Sequence, residues 1–143
     1  MVRSQDCIQK YGVPNNTMEY AHLTMWNVPD WIISEIPTIP KRIYCNKDLI
    51  KPLEQAFAAV IANCLTQEII SWDGCFNIRK QRGYNTWSLH AWAIAIDINA
   101  ARNPLGQVPV MSPALVKCFT DNGFDWGGTW SRPDGMHFQL SRI

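Results

Sequence analysis

Two stretches of the chain gather side chains that can hold a metal ion or move protons. The first runs Ser88-Leu-His90-Ala-Trp-Ala-Ile-Ala-Ile-Asp97, and the second is Asp134-Gly-Met-His137-Phe. Two neutral imidazoles and one carboxylate, with a fourth position open to water, are a common donor set for catalytic zinc. A further carboxylate beside that water is placed to act as a general base. On this pattern His90, Asp97 and His137 are candidate metal ligands and Asp134 is the candidate base. Each also has a structural alternative: Asp97 paired with an arginine or capping a turn, and His90 packed in the core. The residues alone leave both readings open.

The elements that must position these groups follow from hydrophobic period. Residues 93–99 alternate, with Ile94, Ile96 and Ile98 on one face and Ala95, Asp97 and Asn99 on the other, as in a strand. A carboxylate on the inner part of a sheet needs a partner, because an unpaired buried charge is very costly. His90 lies seven residues before Asp97, on the wrong face of a continuous strand. Both can reach one ion only if the backbone turns within Ala91-Trp92-Ala93. Residues 136–140 alternate too, with His137 and Gln139 opposite Met136, Phe138 and Leu140. The turn sequence Pro133-Asp134-Gly135 leads into this strand.

Two helices are predicted. Across Asp48–Leu65, residues Leu49, Leu53, Phe57, Val60, Ile61 and Cys64 recur at helical spacing on one face. Asn46 or Asp48 can cap this helix, and Pro52 fits only in about its first turn. The second runs from Pro113 to about Asn122, with Ser112 as cap, Gly123 as stop, and Leu115 and Phe119 inward. Residues 1–45 read as irregular, because Pro14, Pro29, Pro37 and Pro40 limit any long helix. The expected fold is α+β, one domain over residues 1–143, with helices packed on a small, mainly antiparallel sheet and the irregular part lying on it.

Composition narrows the function classes. The chain has 143 residues, is 47% hydrophobic and 17% charged, and so reads as globular rather than disordered. A net charge of +1 offers no basic footprint for nucleic acid. No apolar run approaches the ~18 residues of a membrane span, and MVRSQDCIQKYG lacks the apolar core of a secretory signal. The expected product is made in the cytoplasm and does not insert stably into membranes. The seven Trp are expected mostly in the core, and His22 in a packing or surface role. Five widely spaced cysteines form no CxxC pair and read as free thiols, several of them buried, with one or two disulfides after export as the alternative. A glycosidase would need a pair of catalytic carboxylates, and no Asp/Glu pair stands in a supporting context.

Ser-x-His-x6-Asp followed by Asp-x-x-His-Phe resembles the signature of the D-Ala-D-Ala carboxypeptidase and L-alanyl-D-glutamate endopeptidase family. These are zinc peptidases of the LAS group (lysostaphin, D-Ala-D-Ala peptidases, sonic hedgehog), which includes many phage endolysins. Residues Gly123–Trp130 and Cys75–Arg79 are similar to the family's runs at the corresponding places, and the likeness spans roughly residues 40–140. It implies His90, Asp97 and His137 as Zn2+ ligands and Asp134 as the catalytic carboxylate. It implies Arg79 as the arginine that binds a substrate carboxylate or polarises the carbonyl, with Arg82 a weaker candidate. Ser88 becomes a hydroxyl that supports the site and touches substrate. The implied activity is hydrolysis of bacterial peptidoglycan stem peptides by a monomer, first as an L-alanyl-D-glutamate endopeptidase. The alternatives are a D-Ala-D-Ala carboxypeptidase or dipeptidase, and a non-catalytic metal-containing wall-binding module. An endolysin-like protein without a signal peptide would reach the wall after release by a separate permeabilising protein. One departure stands out: Ala93 occupies a position that is usually glycine in the family.

Overall fold

The alternating stretches around Asp97 and His137 form the two central strands of a four-stranded antiparallel sheet. In the computed structural model, which describes residues 1–143, helices α1 (Ser4–Tyr11) and α2 (Asn16–His22) lead into strand β1 (Leu23–Asn27). Helix α3 (Asp30–Ile33), strand β2 (Arg42–Asn46) and helix α4 (Lys47–Ala62) follow. Strands β3 (Trp72–Gly74) and β4 (Ala95–Ile98), helix α5 (Pro113–Thr120) and strands β5 (Phe124–Trp126) and β6 (His137–Leu140) complete the chain. The main sheet has the order β3-β4-β6-β5, and β1 pairs with β2 in a separate antiparallel ribbon. The α+β expectation holds.

The helices form for the reasons their sequences give. In α4, Leu49, Leu53, Ala56, Phe57 and Val60 are buried on one stripe, and the Asn46 side chain accepts from Asp48 N at 3.0 Å as the cap. Pro52 sits deeper than expected, in the second turn, where it forgoes one helical hydrogen bond. Cys64, expected on the buried stripe, lies past the helix end, exposed, with φ 57°. In α5, Ser112 Oγ accepts from Leu115 N at 3.1 Å and Pro113 takes the first position. Leu115 and Phe119 face inward. Ile94, Ile96 and Ile98 are fully buried in one core cluster that runs from Val2 to Leu140.

Residues 1–45 are more ordered than their prolines suggested. They contribute three short helices and both strands of the ribbon, with Pro14, Pro29, Pro37 and Pro40 falling between elements. Proline restricts length, not order. Of the tryptophans, only Trp26 and Trp92 are buried outright, and Trp31 is exposed. All five cysteines are free, four of them buried. The half-buried His22 packs edge-on against Tyr11.

The turn required between His90 and Asp97 is present. Residues Leu89–Trp92 form a 3-10 helix, and Ala93 ends it in the left-handed region at φ 53°, ψ 38°. Its carbonyl accepts from Asn46 N at 3.1 Å, so the start of α4 grips the turn. An L-residue costs about 1–2 kcal/mol in this conformation relative to glycine. The fully buried Ala93 methyl returns about 0.8 kcal/mol, and alanine also restricts the unfolded chain by about 0.4–1 kcal/mol. These terms nearly cancel, so alanine is tolerated at this left-handed angle. Ala93→Gly should therefore shift stability by no more than about 1 kcal/mol. Ala93→Val should lose at least about 2 kcal/mol, because a branched side chain fits neither the φ angle nor the space. Urea unfolding of both variants measures the difference.

Candidate metal centre

Strands β4 and β6 pair so that Asp97 lies directly opposite His137. Their side chains therefore leave one face of the sheet about 5 Å apart at Cβ. The 3-10 helix brings His90 to the same point from outside the sheet. His90 Nε2 lies 3.1 Å from Asp97 Oδ2, His137 Nδ1 lies 3.4 Å from Asp97 Oδ1, and the two nitrogens are 3.2 Å apart. Both imidazoles are buried.

The outward nitrogens are also engaged. His90 Nδ1 is 2.7 Å from the Cys75 carbonyl, and His137 Nε2 is 3.0 Å from Gln139 Oε1. A carbonyl only accepts, so the Cys75 contact puts a proton on His90 Nδ1 and leaves Nε2 as a lone pair in the neutral ring. Asp97 Oδ1 is buried without a hydrogen-bond partner. Buried polar atoms are rarely left unpaired, and one beside two inward-facing imidazole nitrogens is what a divalent cation would satisfy. The three residues thus fit a metal ion, and their donor atoms all lie within 4.8 Å of one another.

Protons answer the same need when no cation is bound. Burial by itself would lower the His137 pKa, but the Asp97 carboxylate beside its Nδ1 and the charge of Asp134 raise it above 6.5. Burial would raise that of Asp97, yet the adjoining His137 and His90 rings bring it well below 3.8.

Asp134 is fixed through its backbone. Its N–H donates to the Gly127 carbonyl at 2.9 Å, and a Cβ on Gly127 would lie 2.6 Å from the Asp134 carbonyl oxygen, so only glycine allows the approach. His137 N in turn donates to Asp134 O at 3.1 Å. The Asp134 carboxylate is half-buried and has no hydrogen-bond partner within the protein. Burial lifts its pKa above 3.8; the His137 charge opposes this, Asp97 adds to it, and His90 and Arg79 oppose it. A carboxylate raised in this way is a better proton acceptor than an exposed one.

The remaining predicted residues surround the centre unequally. Arg79 is half-buried and close enough to Asp134 for its charge to act there, with Nη1 donating to Lys80 O at 3.3 Å. Arg82 is exposed on the following loop, and its carbonyl accepts from Arg132 Nη1 at 3.0 Å. Ser88 is buried, and its Oγ accepts from His90 N at 3.3 Å, capping the 3-10 helix that carries the ligand. Three contributors were not singled out from sequence. Gln139 was signalled by its place two residues after His137 on the same strand face. Trp130, whose ring centre lies 5.3 Å from that of His137, sits within the family-like run. The Cys75 carbonyl is a backbone group and leaves no sequence trace.

These linkages set a pH dependence. The Asp97 contribution to stability is complete above pH 3.8 and fades as pH falls through its depressed pKa. The His137 contribution is complete below pH 6.5 and fades as pH rises through its elevated pKa. The metal-free protein should be most stable between these limits. Added Zn2+ must displace the His137 proton, so its stabilising effect should grow as pH rises. Thermal unfolding across pH, with and without Zn2+, tests both. A Zn2+ effect that stays flat with pH, or persists in His137→Ala, would rule out this donor set.

No curated protein and no solved structure matches the chain. Residues 82–140 match a family model described as D-alanyl-D-alanine carboxypeptidase. The matched segment is less than half of the chain, but it contains His90, Asp97, Asp134 and His137. With the motif order and the donor geometry, this match supports a peptidase family of the LAS type for the chain.

Proposed function

We propose that the chain is a zinc-dependent peptidase that hydrolyses amide bonds in the stem peptides of bacterial peptidoglycan, in the first place the L-alanyl-D-glutamate bond. The observation that carries this reading is the unpartnered Asp97 oxygen between two imidazoles, with the free Asp134 carboxylate beside them. Bound zinc would polarise the scissile carbonyl and lower the pKa of a bound water from 15.7 toward about 7.

The chain's own groups do the rest. Asp134, unpaired and with a raised pKa, accepts the proton of the attacking water and returns it to the leaving amine. Arg79 supplies positive charge beside Asp134 to hold a substrate carboxylate or the developing oxyanion. Its loop is stiffened by Ser88 N donating to Arg79 O at 2.9 Å and Gln81 N to Thr86 O at 2.8 Å. Arg82 offers a further cation on the same loop. Ser88 supports His90 through its cap, and contact with substrate remains part of the proposal. Trp130 covers one side of His137 and limits water there.

A second reading, trimming of terminal D-Ala, is favoured by the description of the matching family model. The unpaired Asp134 counts against a non-catalytic wall-binding module, since a purely structural metal needs no base. No helix is long and apolar enough to cross a membrane. Action as a monomer, and delivery to the wall by a separate permeabilising protein in the manner of a phage endolysin, belong to the same proposal.

Digestion of purified peptidoglycan, with mass spectrometry of the products, separates the activities. New amino-terminal glutamate identifies the endopeptidase, and released alanine the trimming enzyme. EDTA should abolish hydrolysis and Zn2+ restore it. Asp134→Asn should retain Zn2+ binding and lose at least about 100-fold in rate; wild-type hydrolysis by this variant would remove Asp134 from the mechanism.

A further inference from the structure

Val2 lies outside residues 82–140, yet it is tied to the metal centre. Its carbonyl accepts a hydrogen bond from Gln139 Nε2 at 3.1 Å, within the buried interior. Since a backbone carbonyl cannot donate, the amide nitrogen of Gln139 must face Val2, and Oε1 must face His137. Oε1 also only accepts, so the His137 proton belongs on Nε2, 3.0 Å away. Nδ1 then presents its lone pair to His90 and Asp97. If the carboxamide were reversed, its NH2 would face Nε2, the ring proton would move to Nδ1, and the donor position would be blocked.

The same segment holds the other histidine's element. The Gly12 carbonyl accepts from Trp92 Nε1 at 2.7 Å, two residues after His90. Between these two contacts runs α1, anchored in the core by Cys7 and Tyr11. Each end of Val2–Gly12 therefore grips one of the two histidine-bearing elements.

We propose that Gln139 is a positioning residue that selects the metal-binding tautomer of His137, and that the Val2–Gly12 segment braces the centre by orienting it. This rests on the metal-site reading above. Hydrogen-bond partners of ligating histidines commonly change metal affinity 10–100-fold when removed.

The test measures Zn2+ affinity by competition with a chromophoric chelator in the full chain and in Gln139→Leu and Gln139→Glu. It also reads the His137 tautomer from ring 15N shifts in the metal-free, unmutated protein with the ring neutral. The expected results are an Nε2–H tautomer, about 10–100-fold weaker Zn2+ binding in Gln139→Leu, and substantial recovery in Gln139→Glu, which still accepts from Nε2–H. A folded Gln139→Leu with wild-type affinity, or an Nδ1–H tautomer in the unmutated protein, overturns the inference. The tautomer reading stands even if Gln139→Leu does not fold. Failure of the unmutated protein to bind Zn2+ overturns the metal reading itself, a different result from unchanged affinity in the variant.

Discussion

Asp97 faces His137 across the central strand pair with one carboxylate oxygen buried and without a hydrogen bond. An ionised group in that position is costly unless cationic partners or protons converge on it. The surrounding structure is arranged to bring them. The β4–β6 register supplies His137, the 3-10 helix supplies His90, and the Pro133–Gly135 turn sets Asp134 next to both. Fully buried isoleucines on the opposite face of β4 keep the strand from shifting, since a slip of one residue would exchange Asp97 for an apolar side chain.

The means of holding this geometry are mostly short hydrogen bonds between backbone and side chain. Ser88 caps the helix under His90, the Cys75 carbonyl fixes its ring, and Asn46 ties the following turn to α4 by donating Nδ2 to the Trp92 carbonyl at 3.1 Å. Gly127 allows the Asp134 turn to pack against it. A cluster of donors held this firmly loses little freedom on binding a cation, which favours affinity. Arg79 and Arg82 lie instead on a loop outside this buried cluster, with more exposed side chains.

Much of this is legible in the sequence. The alternation at 93–99 and 136–140, the stripe along α4 and the cap-and-stop signals of α5 each report a local period, and local periods are written in adjacent residues. The N-terminal part is less legible. Its elements are a few residues each, too short to show a period, and their prolines fall in the connections. Cys64 keeps the spacing of the stripe but lies past the helix end at Ala62, which the spacing does not mark. The turn at Ala91–Ala93 was required by the donor set but could not be read from residue types, since alanine gives no sign of a left-handed angle.

Residue order and local period suffice to give the donor types, their order, the strand faces that carry them and the candidate base. They suffice because side-chain chemistry and hydrophobic period are local properties. The folded chain, by contrast, sets that His90 joins Asp97 and His137, that one Asp97 oxygen lacks a hydrogen bond, and that Val2 reaches Gln139. Each of these depends on contacts between segments far apart in the chain. Such contacts are set by packing and by the direction of individual hydrogen bonds, which no spacing along the sequence encodes.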